Sequence, residues 1–250
     1  MLHTPQNAPR KRTGRLGSLL PMQFEENVTR RGSLARLGSL VVAATGGTAL
    51  VSDARGATGN RAIESGAVAC VLTPELTEGP YYIAGEKLRR DIREGHPGAL
   101  LELQLRVLNA ATCKPIRGAA VDIWHADAAG AYSGFGAGAS SRTFMRGIQK
   151  SDAGGVARFT TIYPGWYQGR TVHIHVKVHV GGAVVHTGQL FFSDTLTDKV
   201  YATAPYARRG ARDVRNAQDS IFINGGKRSV LKVVKSGAGY VGSIAMGVHA

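Results

Sequence analysis

"YPGWYQGRTVHIHVKVHV", residues 163–180, decides the class of fold. From Val172 the residues alternate: Val172, Ile174, Val176 and Val178 form one set, and His173, His175, Lys177 and His179 the other. Successive side chains of a β-strand point to opposite faces. The stretch therefore reads as a strand with one apolar face and one polar, imidazole-rich face. Gly181-Gly182 and "AVVHTGQLFF" (183–192) follow, which makes a hairpin. Upstream, "ALLELQLRVLN" (99–109) alternates Leu101, Leu103, Leu105 and Val107, and "AAVDIWHADAAGAY" (119–132) sets Val121 and Ile123 against Asp122 and Trp124. "VARFTTIYPG" (156–165) reads as a strand closed by Pro-Gly. A brief strand about Phe144 and strands at "IFING" (221–225), "VLKVVK" (230–235) and "YVGSIAMGV" (240–248) complete the set. Residues 194–220 read as a long loop or helical excursion. Short strands without a long helix point to a sandwich or a barrel.

His173 and His175 share a strand face, so their imidazoles can converge on one ion. A His-x-His pair is also compatible with a solvated strand face, which His179 continues, or with copper. Tyr167, just upstream, adds a phenol. A phenol ionises near pH 10 in water and becomes a good ligand only to a strong Lewis acid. Zinc takes thiolate, imidazole or carboxylate instead. Tyrosine with two histidines and no cysteine leans towards Fe(III).

"PGWYQGRTVHIHVKV" resembles the intradiol ring-cleavage dioxygenases, of the protocatechuate 3,4-dioxygenase type. The matching features are Pro164-Gly165-Trp166-Tyr167, Arg170 three residues before His173, and His173-Ile174-His175. Trp124 with Tyr132 eight residues on, Gln189 in "TGQLFF", and "LTEGPYYI" (76–83) are similar too, so the likeness spans about residues 72–195. The resemblance implies a β-sandwich of two mainly antiparallel sheets with long loops, as in the intradiol and transthyretin-like folds. It implies one non-haem Fe(III) per chain held by Tyr132, Tyr167, His173 and His175. It further implies that Tyr167 leaves the metal when a catechol binds and acts as a base, that Arg170 stabilises negative charge on the ring, and that Gln189 supports the site from behind. Tyr81 and Tyr82 are candidates to line the substrate pocket or simply to pack, Trp124 is a substrate-binding candidate that core packing suits better, and His125, His179 and His186 are expected to be structural or exposed. The implied activity is cleavage of catechol-type aromatics by O2 between the two hydroxyl-bearing carbons. The alternative is a transthyretin-like binding module that keeps the cluster without catalysis.

The chain has 250 residues and a net charge of +14. The basic residues are scattered and accompany no nucleic-acid-binding signature, so no nucleic acid partner is expected. Residues 1–57 read as an N-terminal extension and signal: Arg30-Arg31, an apolar run from Leu37 to Leu50, then small and polar residues. The paired arginines resemble a twin-arginine signal, and the apolar run is too short for a stable membrane span. An exported protein is expected, periplasmic or extracellular, with Met22 as an alternative start. Residues 58–71 form a linker and residues 72–250 the catalytic domain, for which a homo-oligomer is allowed. Export makes the chain's two cysteines, Cys70 and Cys113, a disulfide candidate.

Overall fold

The computed structural model describes residues 72–250 except residue 137. Eight strands run β1 (Leu100–Asn109), β2 (Ala120–Trp124), β3 (Arg146–Lys150), β4 (Val156–Ile162), β5 (His173–Val180), β6 (Ala183–Phe191), β7 (Lys232–Ser236) and β8 (Gly239–Val248). They form two four-stranded sheets, in the orders β4-β1-β8-β7 and β3-β2-β5-β6. This is the expected sandwich. Every strand pair is antiparallel except β1 with β8, which run parallel from Leu101↔Tyr240 to Asn109↔Val248.

The alternation read from the sequence sets the core. Leu101, Leu103, Leu105 and Val107 of β1 and Phe159 of β4 are buried, and so are Val121 and Ile123 of β2 and Ile174, Val176 and Val178 of β5. These two groups are the apolar faces of the two sheets, packed against each other as in aligned sandwiches. The β5–β6 hairpin turns at Gly181 and Gly182, with φ of 59° and 88°, the left-handed pair that a tight turn between twisted strands requires.

Two elements differ from the sequence reading. "IFING" is no strand: Ser220–Ile223 form a short helix, α2, after α1 (Asp194–Tyr201). Asp219 caps α2, its Oδ1 accepting from the amides of Ile221 (2.9 Å) and Phe222 (3.0 Å), so the preceding Asp outweighed the apolar β propensity. The strand expected about Phe144 begins at Arg146. Phe144 instead packs against the His96 ring at 3.9 Å. The proposed signal (1–57), linker (58–71) and Cys70 lie outside the described residues. Cys113 sits in the turn after β1 with φ of 59°. Among the described residues no helix is long and apolar enough to cross a membrane.

β5 is buried on both faces from His173 to Val178: His173, His175 and Lys177 are buried, as are Ile174 and Val176 between them. The polar face of β3-β2-β5-β6 is therefore roofed by loops, and the candidate site lies beneath that roof.

Candidate metal centre

One rung of this sheet carries much of the site. Arg146 of β3 pairs with Trp124 of β2, Trp124 with His175 of β5, and His175 with Gln189 of β6. All four residues are buried and share one face. Trp124 stacks on His175 with ring centroids 4.9 Å apart and planes 4° from parallel. It braces the imidazole and, at 1% exposure, is walled off from solvent.

His173 and His175 point their Nε2 atoms at each other, 3.1 Å apart. His173 Nδ1 lies 2.7 Å from the Thr171 carbonyl oxygen. A carbonyl can only accept, so Nδ1 carries the proton and Nε2 offers its lone pair. Tyr167 Oη reaches that same Nε2 at 3.2 Å. Tyr132 comes in from the loop after β2, its ring centroid 5.5 Å from that of Tyr167 and 6.3 Å from that of His175. Its hydroxyl is buried, faces Tyr167 and makes no hydrogen bond of ordinary geometry.

Burial, then the charge of Arg170, pushes His173 down to about 3. Burial, then His173, holds His175 well below the usual imidazole range. Both rings are therefore neutral and available as ligands near neutral pH. Burial raises Tyr132 well above the ordinary phenol value, with Tyr167 adding to it. Burial also raises Tyr167, with Arg170 opposing. Neither phenol loses its proton here without a strong positive charge beside it.

The donor set fits a hard trivalent cation. Two imidazole Nε2 atoms face each other, and the buried Nδ1 of His175 and the buried phenol oxygen of Tyr132 lack hydrogen-bond partners. A cation among the two Nε2 atoms and that oxygen satisfies all three. Among the described residues no group of three or more His, Cys, Asp or Glu is gathered to hold a metal, so such a centre depends on the two phenols.

The remaining expected residues take several places. Arg170 Nε donates to Asp219 Oδ2 at 2.8 Å and its Nη2 donates to Gln189 Oε1 at 2.6 Å. Gln189 Nε2 in turn donates to the Thr77 carbonyl at 2.9 Å. Tyr81 stacks on Tyr132 at 4.2 Å and meets Tyr167 edge-on at 5.9 Å. Tyr82 packs on Trp124 with ring centroids 4.9 Å apart, and Lys177 Nζ of the next rung lies 3.6 Å from its ring centroid. His125 is structural: it is fully buried between the Ala126 carbonyl and the Thr161 hydroxyl. His186 is also buried. Two residues escaped the sequence reading, Asp219 and Arg146. Asp219 lies 49 positions from its partner Arg170, and the Asp-Ser pair that signals a helix cap was the one local clue to it.

A family model described as a dioxygenase matches residues 77–208, which hold every one of these expected site residues. An intradiol ring-cleavage dioxygenase of Tetranychus urticae superposes with a TM-score of 0.68 at 34% identity, covering 72% of this chain and 95% of that one. The dioxygenase domain of a carbohydrate-binding fusion from Streptomyces sp. SirexAA-E gives 0.57 at 30%, covering 72% and 99%. Catechol 1,2-dioxygenase 1 of Acinetobacter lwoffii is 36% identical over 101 residues, 38% of this chain and 32% of its own. The chain thus spans about a third of that curated relative's length. The chain belongs to the intradiol ring-cleavage dioxygenase family.

Proposed function

We propose that the protein is a non-haem Fe(III) enzyme that uses O2 to open the ring of catechol-type aromatics between the two hydroxyl-bearing carbons. Both oxygen atoms enter the product, a muconate-type diacid. The observation that carries this reading is the gathering of Tyr167 Oη, His173 Nε2 and His175 Nε2 within hydrogen-bond distances, with the buried Tyr132 ring beside them. These four residues would hold the iron, which supplies Lewis acidity towards the catechol oxygens.

The chain's own residues do the rest. Tyr132, enclosed at 5% exposure, is the fixed phenol, whereas Tyr167 is half-buried and lies nearer solvent. Tyr167 would be a phenolate while it holds the cation; burial disfavours that phenolate once it is free, so on release its Oη would take a proton from a catechol hydroxyl. Arg170 cannot swing away, being held by Asp219 and Gln189, so its positive charge stays fixed beside Tyr167 where negative charge builds on the ring. The Tyr81 ring, stacked on Tyr132, orients the aromatic substrate.

The proposal extends to the N-terminal region. Residues 1–57 direct export through a twin-arginine-type signal, residues 58–71 link it to the domain, and Cys70 pairs with Cys113. Transport of a folded chain would allow iron to be seated before export. The test is oxygen uptake by iron-loaded protein across a panel of catechols, with the products identified. Uptake with ring-opened diacids supports the reading; no uptake with any catechol overturns it.

A further inference from the structure

Arg146 is a buried arginine that the proposed chemistry leaves without a task. It opens β3, is 1% exposed and stands on the same rung as His175. Its Nε donates to the Ser133 carbonyl (3.0 Å) and Oγ (2.9 Å), and its Nη2 donates to the same carbonyl at 2.7 Å. Its Nη1 donates to the Tyr81 carbonyl at 2.6 Å. Glu86 lies 3.8 Å from Nε and balances the charge. The guanidinium also sits 6.0 Å from the Tyr132 ring centroid.

These bonds join two separate pieces of chain. Ser133 follows Tyr132, and Tyr81 carries the ring that stacks on Tyr132. One planar fork thus fixes both stacked rings through the backbone beside them. Gln189 at the other end of the rung holds the Thr77 carbonyl. Residues 77–81 are therefore strapped across the rung at both ends, with His175 beneath. At the middle of the strap Gly79 has φ of 72°, and a methyl group on it would lie 3.0 Å from His175 Cε1. Only glycine lets the backbone cross so near the imidazole in that conformation.

We infer that Arg146 is a positioning residue: it locks Tyr132 and Tyr81 over the His173–His175 pair and so sets the geometry of the metal centre. Removing the fork leaves the strand and core intact but frees the Tyr132 loop from the sheet. Lysine keeps the charge yet presents a single point donor, which cannot serve the Ser133 and Tyr81 carbonyls as a planar fork does.

The inference rests on Tyr132 being an iron ligand, so the test reads the iron–tyrosinate colour rather than turnover alone. Wild type and Arg146→Lys are loaded with Fe(III), and the visible band, iron affinity and Tm are compared. The expected result is a folded variant with a shifted, broadened band and iron affinity lowered at least tenfold. A lowered Tm with an unchanged band and affinity would mean Arg146 only stabilises the fold, and overturns the inference alone. Wild type without a band overturns the metal reading and this inference together. Should Arg146→Lys not fold, Ser133→Ala decides, because it removes one of the fork's four hydrogen bonds along with the Ser133 Oγ bond to the Phe144 carbonyl: a smaller shift in the same direction supports the role, and a wild-type band overturns it.

Discussion

Gly165 controls how closely the two tyrosine-bearing loops approach each other. Its amide donates to the Asp127 carbonyl at 3.0 Å. A methyl group at its Cα would lie 2.6 Å from the Ala128 carbonyl oxygen and nearer still to that of Asp127. Both obstacles are backbone, so no side chain can swing aside. Ordinary van der Waals contact begins at 3.4 Å, so Gly165→Ala must part the loops by about 1 Å, an overpacking that costs about 1–3 kcal/mol. At roughly 2–4 °C per kcal/mol for a domain of this size, Tm falls measurably. The Asp127 loop runs on to Tyr132, and the turn after Gly165 holds Tyr167, so the separation falls on two of the four proposed donors. Misplacement of about 1 Å in a reacting assembly can lower turnover about 100-fold. Thermal melting with and without Fe(III), and oxygen uptake with catechol, measure the two effects. A Gly165→Ala protein with the wild-type Tm and uptake would refute the reasoning, because it would show that the loops do not bear on each other at this point.

Tyr132→Phe and His175→Ala are each expected to abolish both the visible colour and oxygen uptake; catechol-dependent uptake in either variant would mean the ligands are wrongly chosen. Asp122 gives a pH signature. It is buried and its pKa is pushed up to about 7, first by burial and then by Glu86, with Lys177 opposing. The folded state therefore holds a proton that the unfolded chain has released above pH 4, and stability falls as pH rises from about 4 to 7. The loss is at most about 4 kcal/mol at 1.36 kcal/mol per pKa unit, and Asp122→Asn is expected to remove that slope in Tm against pH; an unchanged slope counts against it. Fe(III) saturating the site is expected to raise Tm and a strong chelator to reverse the rise, with no response from the Tyr132→Phe protein. Reduction, or Cys113→Ser, is expected to lower stability by up to about 4 kcal/mol through the proposed 43-residue loop; an unaltered melt in reductant would exclude the bridge.

β5 was legible because its alternation is unbroken and Gly181-Gly182 close it into a hairpin. That alternation alone put His173 and His175 on one face, away from Ile174. The parallel pairing of β1 with β8 has no local signal, because it joins the two ends of the domain. Tyr167 stood out because it lies just before the His173–His175 strand, whereas Tyr132 could be named only through the family resemblance, since a loop tyrosine has no periodicity to mark it. Trp124, read as a core residue or a substrate contact, is buried on the rung with its ring flat against His175. Arg146 and Asp219 stayed hidden for one physical reason: each acts through partners distant in sequence, Arg146 on Tyr81 and Asp219 on Arg170. "IFING" misled because three consecutive apolar residues, Ile221 to Ile223, carry β propensity, while the Asp219 cap in front of them starts a helical turn.

The most direct test of the central claim is the visible absorption and iron content of the purified protein after loading with Fe(III). One iron per chain and a red-brown charge-transfer band from phenolate ligands are expected, with the band lost in Tyr132→Phe. Colourless protein that retains no iron would contradict it.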